Sequence, residues 1–350
     1  GGTGGTGDPG AAADAAARAR QRALEHQRAT QQHLEHQYAE AASALRHACR
    51  AARERPVQAR EDAEALARAL VDKMLIDGEL CIRLVHTASG DRATAHALNV
   101  TVVALLMGRV AGFDAAEMAD LGVGALLHDI GKVELPDRVR HADEAFTAAE
   151  LNLYREHVRH GVALGQRMGL APGALAVLAQ HHEHADGSGF PLRPPADRIA
   201  MAARIVALVN RYDNLCNPAV PARALTPHEA LSTLFAASRR KFDADVLARF
   251  IRMMGVYPAG SLVQLTDDRH ALVVGINSSR PLKPRVLVHD PRTPRDEALI
   301  LDLEQEPGLG VRRSLNAARL PPAALEYLAP RQRVAYFFEP APPPVAGHEP

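Results

Sequence analysis

The nine residues GALLHDIGK, 124–132, decide how this chain is read. An apolar run that ends in an imidazole beside a carboxylate, followed by glycine and lysine, describes a helix from Ala115 to His128 that stops near Gly131. It leaves His128 and Asp129 at the helix end. A second polar cluster, HHEHADGSGFP at residues 181–191, closes another helix expected from Pro172 to His182. Between them, Thr147 and Glu150 form a capping box that opens the helix carrying His157. Upstream, His96 lies on a helix from Asp91 to Ala111 with an apolar stripe of Leu98, Val102, Leu105, Leu106 and Val110 and with Gly112 as its stop. Successive helices of a bundle can line one interior pocket, and bundle cores are where such metal sites are built. A His-Asp pair and a His-His pair at helix ends, joined by His96 and His157, therefore point to bound cations rather than to core filler.

The rest of the chain frames that block. The chain has 17 histidines, and the seven between His128 and His184 direct the search for function to this region. Helices expected over Ile199 to Leu215, and a last pair between Pro227 and Met254, complete an all-helical unit over residues 89–256. Residues 1–10 are glycine-rich and read as a flexible tail. The region 11–88 reads as helical: a long helix to about Arg53, then helical patterning from Glu61 to His86. The first of these has a seam of Leu24, Leu34, Tyr38, Ala41, Leu45, Ala48 and Ala52. A mostly alanine seam fits a weak helical hairpin or homodimer contact better than a strong coiled coil. His26, His33, His36 and His47 sit among polar residues and read as a solvated face. After Tyr257 the style changes to short β-branched or leucine-rich runs over 261–265, 271–276, 285–289 and 298–301, with 334–338 as a closing strand. These describe a small β-domain over 257–340, before a proline-rich tail at 341–350 expected to be disordered. The fold class is mainly α, a helical bundle with a long N-terminal helical region and a small C-terminal β-domain.

Composition narrows the function classes. Basic and acidic residues balance at 41 each, so the chain lacks the excess positive field used for duplex nucleic acid or anionic membranes; a polyanion site must be local. Cys49, Cys81 and Cys216 form no C-x-x-C pair, which argues against a disulfide framework or a thiolate metal site and fits a cytoplasmic setting. No apolar run is expected to approach the roughly 18 residues of a membrane span.

The ordered segments His128-Asp-Ile-Gly-Lys132, His157 with Gly161, His181-His-Glu183, Asp186-Gly-Ser-Gly-Phe-Pro191 and Ala203-Arg-Ile205 resemble the motifs of HD-GYP domains, within the HD superfamily of metal-dependent phosphohydrolases. The resemblance spans about Ala93 to Met254. It implies hydrolysis of cyclic di-GMP or a related cyclic dinucleotide by metal-activated hydroxide. It also implies one metal on His96, His128, Asp129 and a residue of the late helix, Asn210. A second metal would share Asp129 with His157, His181 and His182. A nitrogen and oxygen donor set suits two divalent ions, iron or manganese. Asp129 and Lys132 are the expected catalytic residues. Lys132, Asp186, Gly187, Arg204 and Arg223 are the expected substrate contacts, with turn chemistry as the alternative role for Asp186.

Three departures from the family pattern bear on activity. Asn210 stands where the family has aspartate, with Asp213 one turn later as a substitute. Arg92 stands where members with a third metal have glutamate, so no third metal is expected. The arginine and tyrosine that grip substrate phosphates are unmatched across residues 216–223, and Phe190 replaces the tyrosine of the GYP motif. The alternative reading is a catalytically impaired metal- or nucleotide-binding signalling module, or a phosphohydrolase for another nucleotide.

Overall fold

The computed structural model describes residues 9–75, 79–85, 91–141, 145–237, 240–277, 280–328 and 334–340. The tails expected at 1–10 and 341–350 lie outside these, except that Pro9 and Gly10 open the first helix. That helix, α1 (Pro9–Ala51), is followed by α2 (Pro56–Met74), with Pro56 at its first position, where a missing N–H costs nothing. The helical core comprises α3 (Arg92–Ala111), α4 (Ala115–Leu127), α5 (Ala148–Met168), α6 (Pro172–Gln180), α7 (Met201–Cys216), α8 (Pro227–Ala237) and α9 (Ala244–Met254).

The alanine seam of α1 is an intramolecular hairpin contact. Leu34, Tyr38, Ala41, Leu45, Ala48 and Ala52 are buried, and α1 packs on α2, α3 and the last strand. Small side chains let α1 and α2 approach closely, since the facing positions on α2 are Ala59, Ala63 and Ala67. Helix α3 is apolar nearly all round, as expected of a helix in the middle of a core. It corrects the expectation that no run approaches membrane-spanning length: its 20 residues are apolar enough, but 78% of the window is buried inside the bundle.

The helix expected to continue from Glu61 to His86 instead ends at Met74, and Leu80–Leu84 is a strand, β1. Residues 76–78 and 86–90 lie outside the described ones. The remaining strands are β2 (Leu262–Leu265), β3 (His270–Asn277), β4 (Arg285–Val288), β5 (Ile300–Asp302), β6 (Val311–Leu315) and β7 (Tyr336–Pro340), with a short helix α10 (Pro322–Leu328) before β7. All pairings are antiparallel; β1 lies between β3 and β7, and β2 bridges β3 to β6. Along β3 Leu272 and Val274 face one cluster and Ala271 and Val273 the other, and Ile276 joins the second past a register shift between Val273 and Gly275. The span 257–340 therefore supplies six strands, while β1 comes from before the helical core. In the other direction, Tyr336, Phe337 and Phe338 of β7 belong to the main helical core cluster.

One ion pair ties β1 to β7. Arg83, with 3% of its side chain exposed, donates to Glu339 Oε1 at 2.8 Å, and Arg285 reaches the same oxygen at 3.2 Å. Glu339→Ala would leave the buried Arg83 guanidinium beside Arg285 without the carboxylate that both contact. It is expected to lower unfolding stability by about 3 kcal/mol, read from the midpoint of urea unfolding.

Candidate metal centre

Local sequence sets each donor in place. On α3, the Asp91 carboxylate caps the first turn by accepting from Thr94 N at 2.8 Å and Thr94 Oγ1 at 2.7 Å, and His96 follows one turn later. Asp114 and Glu117 form a capping box that starts α4. This helix stops at His128, and Asp129 takes φ −98°, ψ 7°, the bridge conformation that turns the chain into a tight 3-10 segment, Ile130–Glu134. Thr147 and Glu150 form the expected capping box of α5, which carries His157. Helix α6 ends at His181, with His182 next.

Close approach of two backbones closes the site. A Cβ on Gly131 would lie 1.9 Å from the carbonyl oxygen of His157 and 2.3 Å from the nitrogen of Gly161, so only glycine lets the 3-10 turn rest on α5. The requirement falls on Gly131 rather than on Gly161, where a Cβ would come no nearer than 3.5 Å to Gly131 N.

Four imidazoles share one arrangement. Their Nδ1 atoms face acceptors: Ala125 O at 2.8 Å from His128, Tyr154 O at 2.6 Å from His157, Leu178 O at 3.0 Å from His181, and Asp213 Oδ2 at 2.5 Å from His96. The proton is thereby held on Nδ1 and the Nε2 lone pair is aimed at Asp129. Nε2 of His128 and of His96 lie 3.5 and 3.8 Å from Asp129 Oδ2; Nε2 of His157 and of His181 lie 3.5 and 3.8 Å from Oδ1. Two donor groups result, His96, His128 and Asp129, and Asp129, His157, His181 and His182, each with its ligand atoms within 4.8 Å of one another. Asp129 is common to both. His182 is placed by its ring, which stacks on Phe190 at 4.4 Å.

The electrostatics fit cations. Burial pushes the His128 and His157 imidazoles down to about 3, and holds His182 well below its ordinary value, so all three stay neutral. Burial would raise the Asp129 carboxyl, but Lys132 and the surrounding imidazoles outweigh it and hold the group well below the usual carboxylate range. Lys132 Nζ sits 2.6 Å from Asp129 Oδ2 and over the Tyr154 ring. Nε2 of His96, His128 and His182, and Asp129 Oδ1, are buried without a hydrogen-bond partner. Buried polar atoms are normally paired, and these four, divided between the two donor groups, are atoms that bound cations would satisfy. The residues present fit divalent metals.

The other expected residues are placed differently. Asn210 is buried on α7, where its Oδ1 accepts from Asn214 Nδ2 at 2.7 Å. Asp213 does not substitute for it at the donor face; it stands behind His96 and also accepts from Asn99 and Asn217, each at 2.8 Å. Those amides reach on to β7: Asn99 accepts from Tyr336 N at 3.0 Å, and Asn217 accepts from Val334 N at 2.8 Å. Asn99 and Asn217 were not read from sequence. Asn99 carried a faint signal, being a polar residue one turn from His96 on a helix otherwise buried and apolar. Asp186 accepts from Ser188 N and Oγ, the turn role rather than a ligand contact, and Gly187 with φ 73° completes that turn. Arg204 directs its guanidinium to Asp243, Ile199 O and Ala196 O. Arg223 is exposed on a 3-10 turn, Pro221–Arg223. Glu183 is buried and accepts from the Leu192 and Arg193 backbones, folding the loop that brings Phe190 onto His182. Beside Asp129, Lys132 and His96 opens a cavity of about 380 Å³; none of Asp186, Gly187, Arg204 and Arg223 lines it.

A family model described as an HD domain matches residues 69–246, half of the chain, and the chain belongs to the HD domain family. Among curated relatives, the cyclic di-GMP phosphodiesterase PA4108 of Pseudomonas aeruginosa is 29% identical over 210 residues, covering 59% of this chain and 50% of that protein. The cyclic di-GMP phosphodiesterase response regulator RpfG of Xanthomonas campestris pv. campestris is 34% identical over 153 residues, covering 43% and 40%. The 3'3'-cGAMP-specific phosphodiesterase 2 of Vibrio cholerae is 29% identical over 182 residues, covering 51% and 35%. The chain thus spans half or less of the length of each of these relatives. The HD-GYP resemblance read from the motifs is borne out.

Two outcomes test this geometry. Gly131→Ala is expected to cost about 3 kcal/mol or more of stability by forcing the turn off α5, and to lower bound metal per chain measured by plasma mass spectrometry. Asp213→Asn keeps the shape but releases the His96 ring. It should weaken one metal site about 10- to 100-fold in competition with a chelator while the other keeps its affinity.

Proposed function

We propose that the protein is a metal-dependent phosphodiesterase that hydrolyses cyclic di-GMP or a related cyclic dinucleotide. The observation that carries this reading is the single carboxylate of Asp129 faced by two imidazole groups whose Nε2 atoms converge on its two oxygens. His96, His128 and Asp129 would hold one divalent ion, and Asp129, His157, His181 and His182 the other. A donor set of imidazole and carboxylate without thiolate favours iron or manganese. Such a pair, when bound, supplies Lewis acidity toward phosphoryl oxygens and toward the attacking water.

The chain's own groups have distinct tasks. Asp129 stays ionised because Lys132 and its imidazole neighbours oppose the cost of its burial, so its negative charge is available to both ions. Lys132 brings an ammonium to the same edge of the cavity, where it offsets charge that accumulates on a phosphoryl group in the transition state. The relatives named as acting on cyclic di-GMP and on 3'3'-cGAMP support a cyclic dinucleotide as substrate. One observation favours the alternative, a binding module with impaired catalysis: the Asn210 oxygen is already occupied by Asn214, which leaves the His96 side with one carboxylate.

Protein loaded with manganese or ferrous iron is expected to linearise cyclic di-GMP, followed by chromatography of the products, and Asp129→Ala should bring turnover to background. Two ions bound per wild-type chain with no product above the Asp129→Ala level would establish the binding module instead.

A further inference from the structure

The cavity beside the metal centre has a wall that the HD domain does not build. Its lining includes Arg46 and Arg50 of α1, four residues apart and so on one helix face, together with Leu45 and Cys49. Helix α1 ends at Ala51, before the segment matched by the family model begins at residue 69. The lining also includes Arg92 and Arg140, the latter paired with Asp137 at 2.8 Å. Arg92 is held in place by Asn217 O at 3.3 Å, Asn214 Oδ1 at 3.3 Å and His141 Nδ1 at 3.0 Å, and Arg140 by Leu135 O at 3.0 Å. By contrast, Arg46 and Arg50 make no side-chain hydrogen bond or ion pair to another described residue.

Charge at this spot is unlike the rest of the chain. The whole sequence is neutral, yet four arginines and Lys132 border the cavity against two carboxylates, Asp91 and Asp129. Asp91 is hydrogen-bonded to the first turn of α3 and lies near enough to Arg46 to feel its charge, and Asp129 faces Lys132 and the donor groups, which leaves the cavity with an excess of positive charge. The first turn of α3, Arg92 to Thr94, also lines the cavity, adding the positive end of a 20-residue helix. The floor formed by Leu126, Ile130 and Val133 is apolar and suits the flat face of a base.

We infer that α1 is a substrate-binding element, with Arg46 and Arg50 holding the second phosphate of a cyclic dinucleotide while the first lies at the metal centre. This rests on the reading of the centre as a phosphodiesterase. A diester with one phosphate reaches the metals without touching α1, whereas a cyclic dinucleotide carries a second anion that needs its own counter-charge. Arginine suits that role because its planar fork presents paired donors to phosphate oxygens.

The test compares two substrates, cyclic di-GMP and the one-phosphate diester bis(p-nitrophenyl) phosphate, with manganese-loaded full-length protein. Arg46→Gln is expected to raise KM for cyclic di-GMP about tenfold, and the double variant with Arg50→Gln further, while kcat stays within about twofold. Arg46→Lys should recover part of the loss, and kcat/KM for the one-phosphate diester should stay within about twofold in every variant. Unchanged KM for cyclic di-GMP, or equal losses on both substrates, overturns the inference and leaves the phosphodiesterase reading standing. Wild-type turnover of the one-phosphate diester with none of any cyclic dinucleotide overturns the substrate reading and the inference with it.

Discussion

The fold is organised around one largely enclosed carboxylate. Asp129, with 17% of its side chain exposed, borders the cavity and lies against His128, His157, His181 and His96, and desolvation by itself would raise its carboxyl. Lys132, three residues on, supplies the compensating charge. That arrangement demands helices that end rather than pass through: α4 stops at His128 and α6 at His181, so their last side chains reach inward from different directions. It also demands that the backbone after Asp129 touch α5, which is possible because Gly131 carries no side chain.

Around this centre lies a shell whose task is orientation. Backbone carbonyls of α4, α5 and α6, each three residues before its histidine, fix three rings, which requires nothing of the sequence beyond a histidine on a helix. His96 is different, because it sits early in α3 and depends on a carboxylate from α7, itself gripped by Asn99 and Asn217. The bundle and the sheet are therefore joined by a polar chain as well as by the burial of Tyr336 and Phe337 in the helical core.

Most of the helical order was readable because its signals are local. Caps at Asp91 and Thr147, the glycine stop at Gly112 and the 3.6-residue stripes each speak within a few residues of the helix they describe. The donor residues were readable for a related reason: a His-Asp or His-His pair at a helix end is conspicuous where single polar residues are not. What escaped was non-local. Leu80–Leu84 is a strand only because β3 and β7 arrive beside it from nearly 200 residues away or more. β6, with two arginines in the middle of VRRSL, has too little apolar alternation to stand out. Asp213 was visible as a carboxylate near the site. Whether it pointed at an ion or at the back of His96 depends on how α3 and α7 pack, which no spacing within α7 encodes.

The polar chain from His96 ends on Val334 and Tyr336, close to the last described residues, and this sets an order of events during synthesis. When the ribosome has released the chain through α9, every imidazole of the centre is already outside the exit tunnel, but the strand that clamps Asn99 and Asn217 has yet to be made. At that point Asp213, which faces Nδ1 of His96, still lacks the backing that Tyr336 and Val334 give to Asn99 and Asn217, whereas the carbonyls that face His128, His157 and His181 come from the residues three places before each ring.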